Sequence, residues 1–121
     1  MIDWTIGEGS TKTAVQHAKS IVNKLTKVSP CIHHLRIVVV GAYEYPDTKG
    51  EFVHGEFCPP CSGSPTPVIF VCVYGTLEEN LCHEYGHYEQ YRDNKPIEEE
   101  PDIEQRTKRL MEAIKRKKRR K

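Results

Sequence analysis

No stretch of this chain approaches the roughly 18 consecutive apolar residues that cross a bilayer, and its first residues lack the basic-then-apolar pattern of a secretory leader. A membrane protein is not expected, and the composition points to a soluble, intracellular (cytoplasmic) molecule. Apolar residues are scarce, at 37% of 121, so the core must be small. A bound metal or a disulfide would add usefully to its stability. No internal repeat is visible, which excludes a solenoid. Of the five cysteines only Cys58 and Cys61 form a C-x-x-C. That pair is followed by Ser62-Gly63-Ser64-Pro65 instead of a helix start, which argues against a redox site. A local disulfide, half of a structural metal site and unreacted thiols all remain compatible with it.

Charge is abundant. Lys, Arg, Asp and Glu make up 29% of the chain, yet the formal net charge is only +1, because an acidic run over residues 98 to 104 nearly cancels a basic one over Lys115–Lys121. A cationic tail of this kind can hold nucleic acid by counterion release, or can simply be a solvated terminus. No aromatic residue interleaves it to stack on bases. The length suits one domain, and we divide the chain into a domain over residues 1–114 and a basic C-terminal tail over 115–121.

Residues 83 to 87 read His-Glu-Tyr-Gly-His. Two His four apart on a helix stand one turn above each other, so both imidazoles can reach one Zn²⁺. Glu84 then lies beside the metal, placed to take a proton from a zinc-bound water and hand it to a leaving amine. The context supports a helix over about 77–92. Thr76 with Glu79 reads as a capping box, and Leu77, Leu81, Tyr85 and Tyr88 recur at helical spacing. Gly86 lowers helix propensity by roughly 1 kcal/mol relative to Ala, which a close neighbouring backbone or the metal cage would explain.

A catalytic zinc normally takes three protein ligands and a water. Asp93-Asn94-Lys95-Pro96 ends the motif helix, and a second helix is expected over about 102–118 with Asp102 as its N-cap. Glu104 is the first choice as third ligand. It sits in the first turn of that helix, on the border of the stripe Ile103, Thr107, Leu110, Met111 and Ile114. Glu100 is the alternative, His54 and the pair His33-His34 weaker ones. Tyr43, Tyr45, His54 and Tyr91 are oxyanion-stabilising candidates by residue type alone.

Elsewhere, Ser10 is read as the cap of a helix to about Lys27 with Ala14, Ala18, Ile21, Val22 and Leu25 on its apolar face. Leu35–Val40 and Val68–Val73 read as strands, and residues 43 to 67 as a long loop or irregular hairpin. The second strand, if it lies at a sheet edge above the metal, could pair with an extended peptide. The expected fold class is α+β: a small mixed sheet packed against an N-terminal helix, the motif helix and a C-terminal helix.

The segment Leu81-Cys82-His83-Glu84-Tyr85-Gly86-His87-Tyr88-Glu89-Gln90-Tyr91-Arg92-Asp93 resembles the "HELxHxxQ" helix of small zincins found in phages and mobile elements, and more distantly ImmA/IrrE-type and minigluzincin peptidases. The resemblance spans roughly residues 35 to 115. It implies a zinc metalloprotease of gluzincin type acting on a protein or peptide, with His83 and His87 as ligands, Glu84 as general base and Glu104 most nearly the third ligand. Gln105, Arg106 and Thr107 depart from the small or apolar residues usual around that ligand, and Cys58-Pro59-Pro60-Cys61 is not part of the pattern. The competing function is a nucleic-acid-associated binding or regulatory protein whose zinc-like helix is structural or inactive. A third is a mobile-element toxin or regulator that cuts one specific partner.

Overall fold

The computed structural model describes residues 2–41, 43–44, 52–53, 55–60, 65–73, 76–96 and 102–119. Its elements run β1 (Ile2–Ile6), α1 (Lys12–Val28), β2 (Leu35–Val40), β3 (Tyr43–Glu44), β4 (Phe52–Val53), β5 (Gly55–Cys58), β6 (Val68–Cys72), α2 (Leu77–Arg92) and α3 (Asp102–Arg119). Four strands form one mixed sheet in the order β1-β2-β6-β5. The β1-β2 and β2-β6 pairs are parallel and β5-β6 is antiparallel. β3 and β4 make a separate small antiparallel pair. This is the expected α+β arrangement of a small mixed sheet against three helices.

Register decides which side of the sheet is apolar. Ile37 stands beside Ile69 and Val39 beside Val71, and all four are fully buried, whereas Arg36 just before them is exposed and Val38 between them is half-buried. Strand alternation thus sends one row of β-branched residues inward. Helices α1 and α2 pack on that row, and α3 packs across both. α1 contributes Val15, Ala18, Ile21, Val22 and Leu25, with Ala14 only partly buried at the border. Its cap is Thr11, not Ser10: the Thr11 hydroxyl accepts from the Ala14 N–H at 3.1 Å. Among the described residues no helix is long and apolar enough to cross a membrane.

Several expectations are corrected. Ile2–Ile6, where the sequence suggested no element, form an edge strand parallel to β2. Val68–Cys72 is not a sheet edge. It lies between β2 and β5, so the edge strand beside α2 is β5, inside the region read as loop. Thr76 occupies the N-cap position of α2 but its side chain makes no capping bond; the helix start is held by the Asn80 N–H to the Thr76 carbonyl at 3.0 Å and by the Asn80 side chain to the Cys72 carbonyl at 3.1 Å. α3 includes Asp102 as a helical residue where an N-cap was expected, and it runs through Arg119, in line with the expected end near residue 118.

α2 stops where Asn94 takes φ 59°. The Lys95 N–H then reaches the Gln90 carbonyl (2.8 Å) and the Asn94 N–H the Tyr91 carbonyl (3.1 Å), a Schellman closure with Asn in the left-handed position. The chain is thereby turned back so that α3 runs along α2.

Candidate metal centre on the second helix

α2 is enclosed on nearly every side. Eleven of its sixteen residues are buried, because β5 and β6 cover one face, α1 a second and α3 a third. Polar residues held in such surroundings need specific partners or a function. Glu84 and His87 are both 5% exposed, and His83 is more open. The His83 and His87 rings stand 4.9 Å apart, centroid to centroid, and nearly perpendicular at 85°, as the i, i+4 spacing requires.

The orientation of His87 is fixed from behind. Its Nδ1 lies 2.9 Å from Gln90 Oε1, and Gln90 donates from Nε2 to Asp102 Oδ2 at 2.9 Å. With the amide oxygen as acceptor, Nδ1 carries the proton and Nε2 carries the lone pair, which is the tautomer a metal ligand needs. Arg106 Nε closes the chain on the same Asp102 oxygen at 2.6 Å, and this contact first, then that of Gln90, holds the Asp102 carboxyl below its usual range. The roles of Gln90 and Asp102 escaped the sequence reading. The available signal was a Gln three residues after a candidate ligand, on the same helical face.

Glu84 points toward the edge strand. A Cβ placed on Gly55 would lie 2.8 Å from Glu84 Cγ, 3.0 Å from its Oε2 and 2.7 Å from the Phe70 carbonyl oxygen. β5 can therefore pass over the carboxylate only because residue 55 has no side chain. Gly86, on the helix itself, meets α3: a Cβ there would come within 2.7 Å of Ile103 Cδ1. The neighbour is thus an α3 side chain and not the close backbone expected, and the contact brings the first turn of α3 beside the motif.

Glu104 follows Ile103, is exposed, and lines a cavity of about 710 Å³ together with His83, Glu79, Thr107, Lys108, Met111 and Lys115. His83 and Glu104 thus face one space. Among the described residues, however, no three His, Cys, Asp or Glu side chains converge closely enough to hold a metal. The imidazoles and carboxylates are donor types that suit zinc; the two histidines are paired, and the exposed Glu104 borders the same cavity as His83. No family model, curated protein or solved structure matches this chain.

The remaining sequence candidates are dispersed. Glu100, His54, Tyr45 and Cys61 lie outside the described residues, as does the side chain of Tyr43. Cys58 sits partly exposed at the end of β5. His34 pairs with Asp3 at 2.6 Å on the far strand pair, and the Asp3 carboxyl is lowered chiefly by that hydrogen bond. His33 is taken up by Tyr88, Nδ1 to hydroxyl at 2.8 Å, and by the Tyr91 ring at 4.9 Å. Neither histidine is grouped with His83 and His87.

Proposed function

We propose that the chain is a small zinc-dependent metallopeptidase with His83, His87 and Glu104 as ligands and Glu84 as general base. The observation that carries this reading is the environment of the His-Glu-x-x-His helix: paired imidazoles, a tautomer set by Gln90 and Asp102, and a buried carboxylate lodged under an edge strand. A zinc ion held by these residues would polarise the scissile carbonyl and lower the pKa of its water to about 7. Glu84 takes a proton from the attacking water and returns it to the nitrogen of the leaving amine. Gln90 and Asp102 keep the His87 ring from rotating. β5 offers its outer edge to an extended substrate, whose main chain would add as a further strand directly above Glu84. Flexible or unfolded protein segments are the substrates that can adopt that form.

The test is zinc content and peptide hydrolysis in parallel. Wild type should hold one zinc per chain, His83→Ala and Glu104→Ala should lose it, and Glu84→Gln should keep it while hydrolysis falls by about 10²–10⁴-fold. Zinc retained in both ligand variants would move the metal to the cysteines and refute the assignment. A second reading, nucleic-acid association through Lys115–Lys121, draws support from the helical continuation of α3 through Arg119. It predicts salt-sensitive binding of DNA or RNA, unchanged in Glu84→Gln.

A further inference from the structure

On the side of α2 away from His83 and His87 lies a second cavity, of about 500 Å³, between the end of α1 and the facing sides of α2 and α3. Its floor is basic. Arg92, Arg106 and Arg109 line it against two carboxylates, Glu89 and Asp93. Glu89 is 1% exposed and its oxygens are already engaged: Oε2 by the Ser29 hydroxyl, Oε1 by Arg106 Nη1 at 3.3 Å and Arg109 Nη2 at 2.5 Å. Asp93 is held by Arg92 and Arg106. A guanidinium offers five N–H donors. Among the described residues Arg109 makes one hydrogen bond, to Glu89, from a side chain that is half exposed. Donors are therefore left over at the cavity, whose two carboxylates are each already paired with two arginines.

The wall is apolar. Val28 and Ile32 line it on either side of Pro30. They are two of the three large aliphatic residues exposed among the described ones, and Ile32 is the most exposed of all at 70%. An aliphatic ledge beside unspent guanidinium donors matches a ligand that carries a carboxylate next to an aliphatic group. A small metabolite would be largely enclosed by its site, whereas these walls stand in solvent and would leave one uncovered. We propose that this trough is a docking site for a short protein segment in which an acidic side chain adjoins an aliphatic one. It is separate from the metal centre and does not depend on the chain being a peptidase.

The probe is a fluorescein-labelled, amidated hexapeptide of alternating Leu and Glu, titrated into the full chain and followed by fluorescence anisotropy, with EDTA present so that hydrolysis cannot contribute. Saturable binding is expected, at least tenfold weaker for the Leu-Gln analogue. Ile32→Ser, a solvent-facing change, and Arg109→Gln, whose amide can still donate to Glu89 and whose melting temperature is checked against wild type, should each weaken it fivefold or more, while Lys12→Gln at the opposite end of α1 should not. Absence of saturation, or affinity indifferent to both trough variants, would overturn the proposal. So would full displacement of the peptide by inorganic phosphate or isovalerate at matched ionic strength, since the site would then be one for small anions.

Discussion

At Gly55 the space that a methyl group would fill is held by the Glu84 side chain and the Phe70 carbonyl. Gly55→Ala must therefore push β5 outward or turn the carboxylate away. Overpacking of this kind costs about 1–3 kcal/mol, and urea denaturation should register it as a lower midpoint at unchanged slope. If Glu84 is the base, hydrolysis should fall more steeply than stability does, with zinc content untouched. Cys82 lies one residue before the motif, and its thiol is pushed up to about 12, first by burial and then by Glu78, Glu79 and Glu89. Its thiolate fraction at pH 8 is on the order of 10⁻⁴. Iodoacetamide should accordingly leave Cys82 unmodified in the native protein while labelling the partly exposed Cys31, a contrast that peptide mass spectrometry reads directly.

Among the elements, α2 is bound to its neighbours as much by polar as by apolar contacts. Glu89 joins three helices through Ser29 at the end of α1 and Arg106 and Arg109 on α3. Tyr85 adds a hydroxyl bond to the Ser29 carbonyl at 2.5 Å, and Arg92 one to Ser29 Oγ at 2.9 Å. Removing one member of such a buried set strands the rest, so Glu89→Ala should cost about 3–5 kcal/mol; loss of cooperative thermal unfolding would report it. The elements differed in how far they could be read beforehand. β2, β6 and α2 were legible because β-branched runs and helical spacing act locally. β1 and β5 were not, since Ile2-Asp3-Trp4-Thr5-Ile6 and Gly55-Glu56-Phe57-Cys58 are short and become strands only by pairing with β2 and β6. The edge position followed the same logic, for which strand lies outermost depends on partners far away in sequence. In the candidate site, the histidine pair and Glu84 were readable from spacing, while Gln90, Asp102 and Gly55 required the packing of α3 and β5 on α2.

For the whole molecule the consequence of this wiring is a defined response to acid. The Asp102 carboxyl is lowered by Arg106 and then Gln90, and that of Asp93 chiefly by Arg92. A carboxyl whose folded value lies below its unfolded one stabilises the fold above the unfolded value, near pH 4, and that contribution disappears as pH falls through the folded value. The melting temperature should thus be level from neutrality to about pH 5 and drop below pH 4, less steeply in Asp102→Asn. On the proposed zinc assignment, saturating zinc at about 100 times its dissociation constant should add about 2.7 kcal/mol, seen as a higher melting temperature that EDTA reverses and His87→Ala abolishes. The enclosure of α2 also bears on how the chain is made. Every layer of the core closes on a helix encoded by residues 77 to 92, so during synthesis the inner faces of β2 and β6 emerge from the ribosome before the element that covers them. Until α2 follows, only α1 covers the row of Ile37, Val39, Ile69 and Val71, and a chain truncated after residue 73 should be a strong chaperone client where the full chain is not.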